Sequence, residues 1–248
     1  LDTLRGDSRN LMLLLVQSPI IALLLMAVFP SNVFGGSTGS ASSGFSASKA
    51  SLLLFCMVVS ALLFGIVNAA REITKESAIY NRERLINLRP VPYLLSKVGV
   101  LSALCVMQTG LLFGILCLKI DFHLASGKLP GFLLTLLLAN LCGMMLGLAI
   151  SSLAKTNDQA MSLVPVAVLP QIIFSGLIEM ESLDIVRKLM PSYWAYGALG
   201  NLTNLNAIMR FPNPLFDTRP ETAWLSLLGI GVAYFLVSLW FLRRKDSV

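Results

Sequence analysis

Six stretches of this chain, each about twenty residues long, are almost free of charge, and this limits the fold more than any other feature. Residues 11–29 are interrupted only by Gln17, Ser18 and Pro19. Residues 51–69, 131–153, 160–178 and 223–242 contain no Asp, Glu, Lys or Arg, and 93–118 contains one, Lys97, near its start. A helix needs about 20 apolar residues to cross a bilayer, whereas a barrel strand needs about 10 that alternate. The runs here are continuous, so they predict an all-α integral membrane protein with six transmembrane helices. In lipid a helix satisfies its own backbone hydrogen bonds, which is why such runs become helices. Composition agrees: 56% of residues are hydrophobic and 13% charged, against about 25% charged in a soluble domain. A soluble or disordered chain is excluded. With 18 Gly and 4 Cys, so are collagen and a disulfide scaffold.

Orientation follows from the basic residues at the span ends. With both termini cytoplasmic, the inner segments hold twelve Lys and Arg and the outer segments seven. Arg243-Arg244-Lys245, directly after the last run, is the strongest anchor. The net charge of +6 is thus explained by anionic lipid and requires no nucleic acid. The expected location is the cell (inner or plasma) membrane. The first run is too long for a cleaved signal peptide, and Asp2 and Asp7 precede it. The opening Leu reads as an excerpt of a longer polypeptide or a trimmed chain.

Most loops read as connections. Residues 31–49, rich in Gly and Ser, predict a flexible outer loop. Asp121, His123 and Lys128 mark a second, and the lone histidine makes no metal site. Cys56, Cys105, Cys117 and Cys142 fall within the runs without metal-ligand spacing and read as packing residues. Asp158 is placed to cap a helix or oppose its dipole. The outer segment 179–220 predicts an amphipathic surface helix around Leu183, Val186, Leu189 and Met190, broken by Pro191. A second short helix is expected near 195–205, and an irregular stretch over 211–219.

Residues 71–84 carry seven charges in an otherwise nearly uncharged chain. The second helix is expected to run past the membrane surface to about Tyr80, followed by a short coupling helix and a return at Pro90 and Pro92. A rigid protrusion of mixed sign suits charge-complementary contact with a soluble protein. The pattern Glu76-x-x-x-Tyr80-x-Arg82-Glu83-Arg84, then Tyr93-Leu94-Leu95-Ser96-Lys97, resembles the first coupling region of ABC exporters of the G subfamily (the White and pleiotropic-drug-resistance type). Phe174-Ser175-Gly176-Leu177-Ile178 resembles that family's fifth span at its outer end, and 191–199 resembles its external segment. Residues 5–11 resemble its connecting helix. The stretch after Arg84 departs from the family, with Asn87, Leu88 and Arg89 where Gly and an aromatic residue are common. The external segment lacks the cysteines of many animal members. That implies a bacterial relative, of the type with a forkhead-associated domain upstream.

The resemblance implies a single permease domain over 1–248, paired with a second copy and driven by an ATP-binding domain, fused or separate. No Gly-x-x-x-x-Gly-Lys-Ser/Thr loop is present. ATP and Mg would therefore sit on that associated domain, with no cofactor, metal or catalytic residue on this one. Glu76, Tyr80, Arg82, Glu83 and Arg84 would couple the two. Phe55, Val59, Leu62, Phe64, Val164, Val168 and Gln171 would line a path for hydrophobic or amphipathic cargo. Leu177 and Ile178 would form its outer gate. An ion-driven carrier is the alternative, but carriers place ionisable residues inside spans, and here the polar ones are Gln17, Asn68, Gln108, Asn140 and Gln171.

Overall fold

A computed structural model describes residues 2–34, 41–76, 90–122, 127–177, 183–209 and 211–244. Among these residues all regular structure is helical. In chain order the helices are α1 (Asp2–Val28), α2 (Ala41–Ala69), α3 (Glu72–Lys75), α4 (Pro90–Cys117), α5 (Leu129–Leu153), α6 (Asn157–Ile173), α7 (Asp184–Lys188), α8 (Pro191–Leu202) and α9 (Pro220–Arg244). Two 3₁₀ turns, Leu205–Ala207 and Pro214–Asp217, join α8 to α9.

Among the described residues four helical stretches are long and apolar enough to cross a membrane: Ala47–Lys75, Pro90–Cys117, Leu129–Leu153 and Pro220–Arg244. The remaining two predicted spans correspond to shorter pieces. The apolar part of α1 is Met12–Val28. Helix α6 has 17 residues, about 26 Å at 1.5 Å each, against a hydrocarbon core of about 30 Å. It ends at Ile173 rather than 178, because Gly176 adopts φ +95° and turns the chain.

Helix α5 is the centre of the bundle and packs most extensively on α2 and α9. Its contact with α2 is a seam of small residues. Ala139, Gly143, Gly147 and Ser151 recur every four residues on α5, and Ala61, Gly65 and Ala69 do so on α2. Such spacing places them on one ridge of each helix. A Cβ on Gly65 would lie 2.1 Å from the Asn140 carbonyl oxygen, and one on Gly143 would lie 2.4 Å from that of Leu62. The backbones touch, and nothing larger than hydrogen fits.

Several expectations need correction. Helix α2 begins at Ala41, so half of the predicted 31–49 loop is helix. It ends at Ala69 and yields to a turn and α3, so it does not continue to Tyr80. Residues 77–89 lie outside the described set. The amphipathic surface helix shrinks to the five residues of α7. Pro191 starts α8 rather than merely breaking what precedes it, as its missing N–H is harmless at a helix start. The second short helix, expected near 195–205, is Pro191–Leu202, with Ala195, Tyr196, Ala198 and Leu199 all buried. Thr156, not Asp158, caps α6, accepting the Gln159 N–H at 3.2 Å. Asp158 sits in the first turn, where its charge suits the helix dipole.

Candidate functional site

At the α3 end of the bundle the ionic residues converge. Lys97 on α4 donates its ammonium to Glu76 and lies 3.5 Å from Glu72. The Tyr93 hydroxyl donates to the second Glu76 oxygen at 3.2 Å, and Lys97 stands 5.9 Å above the Tyr93 ring. Helix α3 is also held from α5. The Ser151 hydroxyl accepts the N–H groups of Ile73 at 3.0 Å and Thr74 at 3.2 Å, the donors a helix leaves open in its first turn. The Thr74 hydroxyl donates to Asn157 at 2.6 Å. A short helix that could not persist alone is thereby fixed to α4, α5 and the start of α6. Of the predicted coupling residues, Glu76 stands in this cluster; Tyr80, Arg82, Glu83 and Arg84 lie outside the described residues.

The predicted path residues divide. Phe55 and Val59 are half-buried on one face of α2, and Phe55 meets the Tyr196 ring edge-on at 6.2 Å. Phe64 is nine residues beyond Phe55, half a turn out of phase, and is fully buried in the core of this chain. Leu62 is buried in the same cluster, its backbone against Gly143. Val164 is buried in a smaller cluster with Ile66 and Ala160, and Val168 packs on it from a half-buried position. Leu62, Phe64 and Val164 are thus packing residues of the single chain.

Gln171 is a latch between α6 and α8. Its side-chain oxygen accepts the Ser192 N–H at 3.3 Å, its carbonyl accepts the Ser192 hydroxyl at 2.6 Å, and its amide donates to the Met190 sulfur at 3.1 Å. Beyond it the Phe174-Ser175-Gly176 turn tucks beneath α8. The φ of +95° at Gly176 favours glycine, and a Cβ there would lie 2.4 Å from Leu215 Cδ2, so that side chain would have to shift. Leu177 follows, 39% exposed, its N–H donated to the Ser175 hydroxyl at 3.3 Å. Ile178 lies outside the described residues. The Arg187 guanidinium stacks 5.1 Å from the Tyr193 ring and pairs with Asp184 at 3.5 Å. Tyr196 hydrogen-bonds Ser51 on α2, and burial pushes its phenol up to about 12.

A buried polar network joins the helices between these two ends. The Asn68 amide donates to Gln108 at 2.7 Å, and the Gln108 amide donates to the Leu14 carbonyl at 2.9 Å. The Ser18 hydroxyl donates to the Gln108 carbonyl at 2.7 Å. Asn140 donates to Thr109 at 3.1 Å and to the Cys105 carbonyl at 3.2 Å. Composition marked these side chains as polar within apolar runs, but only the fold shows that they bond one another.

Comparison with known proteins bears on this arrangement. Residues 8–202 match the family described as ABC-2 type transporter. Over 208 residues, 78% of this chain, the sequence is 30% identical to the ABC transporter ATP-binding/permease protein Rv1747 of Mycobacterium tuberculosis. The aligned region covers 24% of that relative, so the chain corresponds to about a quarter of its length.

Proposed function

The chain belongs to the ABC-2 type transporter family, as its membrane domain, and from that premise we propose that it forms half of an ATP-driven exporter. Two copies would enclose one path, and each would be worked by an ATP-binding domain at the α3 end. That end would be cytoplasmic, which places α8 and the Gly176 turn outside. The observation that carries the reading is the anchoring of α3. Glu72 and Glu76 bind Lys97 of α4, Ser151 of α5 accepts two α3 amides, and Thr74 bonds Asn157 at the start of α6. A displacement of 71–84 by a soluble partner would reach three helices directly. The sequence of 71–84, dense in charge of both signs, suits such a partner.

The path would run along the α2 face that carries Phe55 and Val59, closed on the outer side near Leu177 and Ile178. An apolar constriction can shut a path by excluding water. Hydrophobic or amphipathic cargo, lipid-like in character, fits such a lining. The full complement of spans would be six, with α1 and α6 as the two short ones.

The test is ATP hydrolysis by the native complex purified from its own membranes, with and without vanadate. Vanadate-sensitive turnover that co-purifies with this chain is the expected result. Glu83→Arg is expected to keep basal turnover but lose transport; normal transport by that variant would remove the coupling role. Leu177→Ala is expected to make the outer gate leaky, and unchanged transport and basal turnover would argue against a gate.

A further inference from the structure

We propose that the groove between α4, α5 and α9 holds one acyl chain of an anionic phospholipid whose phosphate sits at Arg243. The groove has a volume of about 350 Å³ and is lined by Leu95 and Val98 of α4, Leu141 and Met145 of α5, and Gly231 and Phe235 of α9. An apolar cavity of about 150 Å³ accepts benzene, so this space takes roughly a dozen carbons. The wall suits water poorly, because it is apolar apart from the Ser102 hydroxyl, whose proton is already donated to the Val98 carbonyl at 2.6 Å. The groove opens outward past Leu95, Leu228 and Val232, each more than half exposed. Its three walls are helices long enough to cross the membrane, so it opens to lipid.

Glycine makes the space. A Cβ on Gly231 would meet nothing within 4 Å, so this point of α9 stands back from its neighbours. The charge comes from the end of the same helix. Arg243 is eleven residues after Val232, three turns, and so stands above the same edge of the groove. The separation is about 16 Å along the axis, close to the roughly 15 Å from bilayer centre to headgroup. Trp240, with the Arg244 guanidinium 5.3 Å from its ring, marks this level as the lipid–water boundary. An acyl chain seated between Gly231 and Phe235 therefore brings its phosphate to a guanidinium, which favours an anionic headgroup through charge-assisted hydrogen bonds. The inference goes beyond the transport reading and does not depend on it.

The experiment is native mass spectrometry of the full-length transporter, equilibrated in detergent with equal phosphatidylglycerol and phosphatidylethanolamine. The unaltered protein is expected to retain one phosphatidylglycerol per membrane domain. Gly231→Phe, whose Cβ meets nothing within 4 Å and whose ring would occupy the groove, is expected to lower retention of both lipids roughly tenfold. Arg243→Gln, at an exposed helix end, is expected to lower phosphatidylglycerol retention to a similar degree and phosphatidylethanolamine retention much less, because the ethanolamine ammonium already offsets its phosphate. Equal retention of both lipids by the unaltered protein would overturn the proposal, as would undiminished retention in either variant. A change of oligomeric state in Gly231→Phe would assign the groove to another copy of the chain instead.

Discussion

Helices α5 and α9 have the same length, 25 residues, and nearly the same hydropathy, 2.2 and 2.1. Yet α5 buries 67% of its most apolar 18-residue window inside the protein and α9 only 17%. Apolarity therefore does not decide which helix is central. The spacing of small residues does. On α5, Ala139, Gly143, Gly147 and Ser151 form one ridge that meets the backbone of α2, whereas Gly229 and Gly231 of α9 face open space. Lipid is as apolar as leucine, so a span gains little by burying leucine against protein and much by bringing backbones into contact.

Replacing a glycine should have opposite outcomes on the two helices. Gly143→Val places branched carbons where a Cβ already lies 2.4 Å from the Leu62 carbonyl oxygen. The α2–α5 seam must then open, at a cost of about 3 kcal/mol or more. Little folded protein should be recovered, as judged by gel filtration in mild detergent. Gly231→Ala on α9 meets nothing and should shift stability by less than about 1 kcal/mol, toward greater stability. Equal melting temperatures for the two variants would remove the seam from its central place.

Polar substitutions sharpen the same contrast. Gln108→Leu leaves the Asn68 amide and the Leu14 carbonyl without their bonds, in a site sealed by α1, α2 and α4. A loss of about 1–2 kcal/mol is expected, read as a lower midpoint in thermal or denaturant unfolding. Ser226→Ala on α9 removes only a bond to its own helix, from the hydroxyl to the Thr222 carbonyl, and should stay within about 0.5 kcal/mol. Tyr196→Phe falls between them: it loses the Ser51 bond but keeps the ring contacts with Phe55 and Phe216, at a cost of about 1 kcal/mol. Burial holds the Tyr196 phenol at about 12, above its ordinary value near 10. Its contribution is therefore complete below pH 10 and is lost as pH rises from there through 12. Absorbance titration of the phenolate, compared with Tyr196→Phe, checks this.

The helices were legible because apolar runs of spanning length have few alternatives in lipid. Their ends were less so. The Ala41 start of α2 is written in small and polar residues that serve a loop or a helix equally. The α6 terminus depends on Gly176, whose φ the sequence does not reveal. The packed face of α2, where Leu62 and Phe64 are buried, was illegible for a different reason. Apolar side chains in a span look alike, and only the position of the glycine seam shows which face of α2 is already occupied. Gln171 stood out as polar, but its bonds to Ser192 and Met190 join residues across a turn that periodicity does not describe.

Lys97→Gln should have a small effect on stability and is the most informative about coupling. The Lys97 side chain is 17% exposed and its partners Glu72 and Glu76 are 21% and 33% exposed, so solvent screens these pairs in part. Their combined contribution is about 1 kcal/mol or less and should shrink with added salt. Unlike the seam, this contact can be broken and remade at little cost, as the proposed joint between a soluble domain and the spans would require. In the full transporter the variant should melt near the unaltered protein, keep its basal ATP turnover and lose much of the stimulation by cargo. If stimulation survives intact, α3 is a passive strap, and Ser151 and Asn157 alone account for its place.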